Sequence, residues 1–207
     1  MVNHLMAHDL LWGMTPQRLP VEAPGWAVEA LSLGQPVVVR RAMTAVGHVA
    51  VGVRGASREQ RYATSMPVVA IQRRVRPEDL CQVELSRDLP ALQALAQLRP
   101  LLDAGGWTWG VSGSAGFELA SGIEALHEHS DLDLILRTPQ PLERSRARDL
   151  LAQLDDSVCT VDMQLQTPRG AVALREWAGS SCRVLLKDDV QARLVIDPWR
   201  PSLEQVA

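Results

Sequence analysis

Ser130-Asp-Leu-Asp-Leu-Ile-Leu-Arg137 is the most informative segment in the second half of this 207-residue chain. Its three leucines fall on one side of an extended chain, because successive side chains of a strand point to opposite faces. The same alternation places Asp131 and Asp133 together on the other face. Two carboxylates one pleat apart suit a hard divalent cation, since Mg²⁺ is usually held by one or two carboxylates plus substrate phosphates. We therefore expect a strand that binds Mg²⁺, with Mn²⁺ as an alternative cofactor.

A Gly-Ser turn at Gly113 and Ser114 precedes this strand across one predicted helix. Gly113 would let the backbone come close to a phosphate, and the Ser114 hydroxyl with adjacent N–H groups would bind the phosphate oxygens as the helix begins. Glycine and serine here are predicted to bind substrate. Together with the paired carboxylates, the turn indicates phosphoryl or nucleotidyl transfer.

A third carboxylate is predicted on the neighbouring strand. Thr160-Val-Asp-Met-Gln-Leu-Gln166 alternates again, which places Asp162 on the polar face. Asp131 and Asp133 would hold the metal against the leaving pyrophosphate. Asp162 would either complete a second metal position or accept a proton from the attacking hydroxyl. We predict all three aspartates as catalytic residues and metal ligands.

A structural explanation of these carboxylates stays open at this stage. An Asp-x-Asp triplet alone is weak evidence, because a chain of this length carries one by chance about half the time on ordinary amino-acid usage. Solvated strand faces also account for acidic residues that alternate with apolar ones. The apolar strand, the preceding Gly-Ser turn and the third acid on the next strand together favour a site.

Four basic residues are further candidates for substrate binding. Arg54, Arg58 and Arg61 lie on a Gly-rich segment at spacings that put them on one side. Their forked guanidinium groups suit a triphosphate or an acidic carrier protein, and a solvated basic face is the alternative with equal weight. Lys187 ends an apolar strand and would reach a phosphate, although a lysine at a strand end is commonly a surface residue.

Composition and charge exclude several classes of protein. Apolar residues make up 46% of the chain, the net charge is −3, and no stretch is long enough to span a bilayer. The N-terminus lacks the features of a signal peptide, so we expect a cytoplasmic protein. A protein that held nucleic acid by its backbone would show a broader basic excess. Neither nucleic acid nor a membrane is expected as a partner.

The texture of the sequence changes near Leu89-Pro90. Short β-branched runs before it predict a small β-rich module over residues 1–90, with strands at 36–40, 48–53 and 66–72. Residues 91–207 predict a second domain with a mixed sheet flanked by helices, and the fold class is α/β (α+β). Its predicted helices are 91–98, 117–126 and 141–154, and its further strands are 107–111, 160–166, 183–187 and 193–196.

The run from Trp109 to Leu136 resembles the signature of the phosphoribosyl-dephospho-CoA transferases, the holo-acyl-carrier-protein synthases of malonate decarboxylase. The first half agrees at His8-Asp-Leu-Leu-Trp12, Pro36-Val-Val-Val-Arg-Arg41 and Gly52-Val-Arg-Gly-Ala-Ser-Arg-Glu-Gln-Arg61. The resemblance thus spans nearly the whole chain. It agrees with a nucleotidyltransferase-like fold for the second domain.

The resemblance implies a donor, an acceptor and a reaction. A serine hydroxyl of the apo acyl-carrier subunit of malonate decarboxylase would attack 2′-(5″-triphosphoribosyl)-3′-dephospho-CoA and release pyrophosphate. Asp131 and Asp133 match the family's Asp-x-Asp and carry over as its metal pair, whereas Asp162 rests on strand alternation alone. Two alternatives remain: another metal-dependent nucleotidyltransferase that acts on a small molecule or protein, and a binding module for a carrier or nucleotide without catalytic activity.

Overall fold

The computed structural model describes residues 5–57, 59–85 and 87–201, and these contain two β-sheets flanked by helices. The first sheet is antiparallel, with strand order β4-β3-β2-β1-β5. Its strands are β1 (Leu10–Trp12), β2 (Val37–Val39), β3 (His48–Arg54), β4 (Arg61–Pro67) and β5 (Arg73–Val75). One face of this sheet packs on helix α1 (Gly25–Ser32) and buries a separate apolar cluster that includes Leu11, Val51 and Met66. The other face is left for the second half of the chain.

The second sheet is mixed, with strand order β11-β10-β9-β8-β7-β6. Only the β7–β8 pair is parallel among the pairs that the described residues form. The strands are β6 (Trp109–Val111), β7 (Leu132–Arg137), β8 (Val161–Thr167), β9 (Gly170–Ala173), β10 (Val184–Lys187) and β11 (Ala192–Val195). The helices are α2 (Pro90–Ala104), α3 (Gly113–Ser121), α4 (Arg144–Asp155) and α5 (Leu174–Ala178). The predicted α/β class is confirmed, as is the mixed sheet flanked by helices.

Strand β7 shows the alternation that its sequence predicts. Leu132, Leu134 and Leu136 are at most 1% exposed and lie in the main apolar core with leucines of α2 and α4. Asp133 points to the opposite face, which β8 continues with Asp162. One face of β7 and β8 therefore carries the core, and the other is polar and turned towards the first half of the chain.

Two local predictions are wrong. The strand expected at 66–72 lies earlier, at Arg61–Pro67, and a 3₁₀ turn over Val68–Ala70 follows it. Proline lacks an N–H and fixes its own φ, so the β3–β4 ladder ends where Pro67 pairs with His48. The helix expected at 117–126 begins at Gly113 and ends before Gly122, whose φ of 72° gives a left-handed cap.

The segment between the sheets packs with the second half. The first sheet ends at Val75, and Leu80, Cys81 and Leu89 already belong to the core of the second sheet. The domain boundary between residues 90 and 91 stays a prediction. None of the helices in the described parts of the chain combines the length and apolar character needed to cross a bilayer.

Candidate active site

A cleft of about 500 Å³ lies between the outer face of the first sheet and the polar face of β7 and β8. The structure brings seven of the predicted site residues together in its walls. They are Arg54, Arg61, Gly113, Ser114, Asp131, Asp133 and Asp162. The first half thus supplies guanidinium groups, and the second half supplies carboxylates and the Gly-Ser turn.

The three aspartates lie on two neighbouring strands. Asp133 and Asp162 are direct partners in the parallel register of β7 and β8, so their side chains leave the same face of the sheet on strands about 4.8 Å apart. Asp131 immediately precedes β7 and also lines the cleft. Asp162 is exposed, whereas Asp131 and Asp133 are half-buried. The three carboxylates lie at the N-terminal ends of β7 and β8 and line the cleft, as the alternation predicts.

Gly113 lies directly against the carboxylate of Asp133. Its φ of 60° is in the left-handed region, and a Cβ atom there would come within 1.8 Å of Asp133 Oδ2. The Ser112 N–H donates to the Asp133 carbonyl at 2.9 Å, which fixes the turn to the strand. Because Gly113 begins α3, the N–H groups of that helix's first turn open beside the carboxylate. The predicted phosphate-binding donors and the predicted metal-binding oxygens therefore lie side by side.

Arg54 connects the two halves of the chain across the cleft. Its Nη2 donates to Ser114 Oγ at 2.9 Å and to the Ala125 carbonyl at 3.2 Å, and its guanidinium lies 5.2 Å from the Phe117 ring centroid. Burial and, to a smaller extent, the charge of Arg61 lower the pKa of Arg54 to about 10, against the opposing charges of Asp133 and Glu118. Arg54 is thus still cationic at neutral pH and in contact with the Gly-Ser turn.

Glu118 is a buried residue that sequence reasoning missed. Its carboxylate accepts hydrogen bonds from the N–H groups of Ala125 at 2.7 Å and Leu126 at 2.9 Å, and from Arg87 at 2.9 Å. Burial alone would raise the pKa of Glu118, but these hydrogen bonds and the charge of Arg87 bring it below its ordinary value. Glu118 therefore holds the loop that leads into Asp131. An acidic residue inside the apolar helix stretch Phe117-Glu-Leu119 was the available signal.

Several polar residues outside the predicted catalytic and binding set also line the cleft: His8, Arg40, His127, His129 and Ser130. His8 has a left-handed φ of 76°, which is uncommon outside glycine. Burial lowers the pKa of His8 to about 4, and Arg41 and Arg137 act in the same direction. The imidazole is therefore neutral at pH 7, with Arg41 Nη1 at 3.3 Å from its Nε2.

Two predicted binding residues are not placed in the cleft. Lys187 is exposed at the end of β10, where it pairs with Ala171 and Ala192, and β9 separates its strand from β8. It is not among the residues that line the cleft, so the structure does not bring it to the carboxylates. Its role in phosphate binding stays a prediction without geometric support. Arg58 lies outside the described residues.

The donor set of the cleft fits a hard cation shared with a substrate. Within residues 5–57, 59–85 and 87–201, no three His, Cys, Asp or Glu side chains are arranged to hold a metal ion by themselves. The neighbouring Asp133 and Asp162, with Asp131, offer only oxygen donors, and Mg²⁺ commonly completes its shell with substrate phosphates. The residues therefore fit Mg²⁺ bound together with a phosphate, and the assignment of Asp131, Asp133 and Asp162 as its ligands stays a prediction.

Known proteins resemble this chain along its whole length. The family model described as phosphoribosyl-dephospho-CoA transferase MdcG C-terminal domain matches residues 79–198, and the model of the N-terminal domain matches residues 6–77. A phosphoribosyl-dephospho-CoA transferase of Pseudomonas fluorescens Pf0-1 is 65% identical over 207 residues, covering 100% of both chains. Another, from Azotobacter vinelandii, is 57% identical over 93% of both chains.

No solved structure matches the chain. The two family models meet between residues 77 and 79, directly after the last strand of the first sheet. Both halves that enclose the cleft are thus parts of one family's architecture. By these matches, the chain belongs to the phosphoribosyl-dephospho-CoA transferase family.

Proposed function

We propose that this protein transfers the phosphoribosyl-dephospho-CoA group from 2′-(5″-triphosphoribosyl)-3′-dephospho-CoA to a serine of the apo acyl-carrier subunit of malonate decarboxylase. One observation carries the proposal beyond membership of the family. The Asp133 carboxylate lies against Gly113 at the start of α3, in a cleft that Arg54 and Arg61 line from the other side. The guanidinium groups can bind the negative charge of a polyphosphate, and the N–H groups at the start of α3 can donate hydrogen bonds to its oxygens.

The reaction breaks and forms one bond at the α-phosphorus of the donor. The serine Oγ attacks that phosphorus, the P–O bond to the outer two phosphates breaks, and pyrophosphate leaves as a phosphodiester forms. Mg²⁺, when bound by Asp131, Asp133 and the donor's phosphates, supplies positive charge for the oxygens on which negative charge develops. The hydroxyl proton must pass to a base during the attack.

The protein's own groups position the donor for this attack. The N–H groups at the start of α3 and the Ser114 hydroxyl bind phosphate oxygens, and Arg54 adds a cation that already contacts Ser114. Asp162 is exposed and directly opposite Asp133. It is the carboxylate available either as a further metal ligand or as the acceptor of the serine proton.

Two other functions make different predictions. A nucleotidyltransferase of another specificity would use the same carboxylates with a donor such as ATP. A binding module would retain the cleft without turnover. The close approach of Asp133 and Asp162 argues for catalysis, because like charges on neighbouring strands repel and a binding module gains nothing from keeping them.

Intact-mass spectrometry tests the proposal directly. The apo acyl-carrier subunit is incubated with the protein, triphosphoribosyl-dephospho-CoA and Mg²⁺, and parallel samples contain Mn²⁺ or no metal. We expect the carrier to gain the phosphoribosyl-dephospho-CoA mass with wild-type protein and to gain nothing with Asp133→Asn. Modification with ATP alone would instead support another nucleotidyltransferase, and donor binding without any modification would support a binding module.

A further inference from the structure

Four apolar residues form a continuous row across the first sheet where it faces the cleft. Leu10 pairs with Val38, Val38 with Gly52, and Gly52 with Ala63. All four line the cleft. Since neighbouring strands lie about 4.8 Å apart, the row is about 14 Å long. We call Leu10, Val38, Gly52 and Ala63 the apolar shelf.

The apolar shelf belongs to the cleft and not to the core of the first half. Successive residues of a strand point to opposite faces, so Leu11, Val37 and Val51, the chain neighbours of three shelf residues, point into the core on α1. Leu10 is buried, Val38 and Gly52 are half-buried, and Ala63 is exposed at the outer strand. The shelf therefore runs from a covered inner end to an open outer end.

Gly52 adds no side chain to the middle of the shelf. Its φ is outside the left-handed region, so backbone conformation does not demand glycine at this position. An added Cβ would lie 3.1 Å from Arg40 Cδ, which is the flexible stem of a side chain that also lines the cleft. Glycine in a strand interior commonly marks a close approach by another group. Here it leaves room for the exposed Arg40 side chain, whose flexible stem lies over the Gly52 backbone between Val38 and Ala63 and can swing aside for a ligand.

Cationic groups border the shelf towards the catalytic end. Two residues further along β3 and β4, on the same face, Arg54 and Arg61 are direct partners. Arg54 donates to Ser114 Oγ at 2.9 Å, so the border of the shelf touches the predicted phosphate-binding turn. A ligand whose phosphates lie at Ser114 can thus extend across Arg54 onto the shelf without leaving the cleft.

We propose that the apolar shelf binds the adenine ring of the dephospho-CoA portion of the donor. The proposal rests on the proposed function and adds where the donor's base lies. The donor has one flat aromatic ring system, and an apolar row along a sheet, bordered by the Arg40 stem, offers that ring van der Waals contact over its face. Its pantetheine arm is a flexible chain rich in amides, which matches an apolar strip poorly. The proposed function assigns the triphosphate to Ser114, Arg54 and the metal ion that the aspartates would hold.

Ala63→Leu is the variant that tests the shelf, because Ala63 is exposed and a larger side chain there covers the strip without entering the core. Ala45→Leu, an identical change at an exposed position outside the cleft, is the matched control. Calorimetric titrations with Mg²⁺ use three probes: dephospho-CoA, 4′-phosphopantetheine without a base, and inorganic tripolyphosphate. We expect Ala63→Leu to weaken dephospho-CoA binding at least tenfold and to leave the other two probes within twofold of wild type.

Other outcomes overturn the proposal in distinguishable ways. Unchanged dephospho-CoA affinity in Ala63→Leu, with tripolyphosphate still bound, removes the shelf and leaves the proposed function standing. Selective loss of 4′-phosphopantetheine binding would assign the shelf to the arm instead. If wild-type protein binds neither dephospho-CoA nor tripolyphosphate, both proposals fail. Gly52→Ala repeats the test should Ala63→Leu not fold, since its added Cβ meets only the movable Arg40 stem within 3.4 Å.

Discussion

The polar face of β7 and β8 has two ends with the same strands and opposite environments. At the carboxylate end, Asp131, Asp133 and Asp162 open into the cleft. At the other end, which we call the arginine end, Arg137, Gln164 and Gln166 lie on the same face further along the strands. Arg137 Nε donates to Glu78 at 2.5 Å, with the two side chains only 11% and 18% exposed. One end is kept accessible, and the other is covered.

The difference shows how a single strand face can serve both chemistry and assembly. The carboxylates line an open cleft, where a cation and a phosphate can reach them. Charges under cover must be paired, and the arginine end is paired by Glu78 in the segment that follows the first sheet. Nearby, the fully buried Asp9 pairs with Arg74 at 2.7 Å. Substitutions at the two ends should therefore act on different quantities.

The largest effect is expected at the carboxylate end. Asp133→Asn should lower the rate of carrier modification about 10³-fold, because it removes a predicted ligand of the metal ion whose positive charge would stabilise the transition state. The melting temperature should change far less than the rate, since Asp133 is only half-buried and asparagine has nearly the same size and shape. Initial rates from intact-mass spectrometry and a thermal melt measure the two quantities. Asp149→Asn on the exposed surface of α4 is the control, and an Asp133→Asn rate within threefold of it would contradict the assignment.

The carboxylate end was largely predictable from sequence, because its geometry follows from local rules. Alternation fixes which face Asp133 takes, and the next strand repeats the pattern at Asp162. A close approach of another group to Gly113 was predictable, but that this group is the Asp133 side chain was not. The proximity of Arg54 to the Gly-Ser turn agrees with its predicted binding role, but the hydrogen bond to Ser114 was beyond sequence reasoning.

The arginine end was not predicted, because its partners are distant along the chain. Glu78 and Arg137 are 59 residues apart, and only the packing of the two halves brings them together. Glu118 was missed for a related reason, since two of its hydrogen bonds are to backbone N–H groups, which leave no trace in residue identity. The misplaced strand at 66–72 came from favouring β-branched residues over the local effect of Pro67.

Breaking the buried pair at the arginine end should act on stability. Glu78→Gln leaves Arg137 covered and without its carboxylate, which should lower the free energy of unfolding by about 3 kcal/mol. The double variant Glu78→Gln with Arg137→Met should recover part of that loss, because no unpaired charge remains. Urea unfolding measures both. Asp155→Asn breaks the Arg175–Asp155 pair, whose side chains are 54% and 48% exposed, and should cost at most about 0.5 kcal/mol. Equal losses at the two pairs would contradict the comparison.

Acid should destabilise the protein through His8, which lies beside the arginine end. Its folded-state pKa of about 4 is below the ordinary value of 6.5, so the unfolded chain binds more protons between these pH values. The contribution of His8 to the free energy of unfolding is therefore fully present above pH 6.5. About 2 to 3 kcal/mol of it is lost as the pH drops towards 4. His8→Asn should flatten that part of the curve, since asparagine does not titrate and tolerates a φ of 76°. Urea unfolding at pH 7 and pH 4.5 tests this, and an unchanged slope in the variant would refute it.

Arg54 lies at the carboxylate end but contacts both halves of the chain. It therefore tests whether a residue at that end serves donor binding or the packing of the two halves. If it acts on the donor, Arg54→Ala should weaken donor binding about 30-fold, near 2 kcal/mol, through loss of a charge-assisted contact with phosphate. Arg54→Lys should recover only part of this affinity, because an ammonium keeps the charge and loses the planar guanidinium whose Nη2 contacts Ser114 and Ala125 and whose other N–H groups can bind phosphate. Calorimetric titration with the donor and a thermal melt separate affinity from stability, with Arg18→Ala on the exposed surface of the first half as control. A large fall in melting temperature with unchanged donor affinity would instead assign Arg54 to the packing of the two halves against each other.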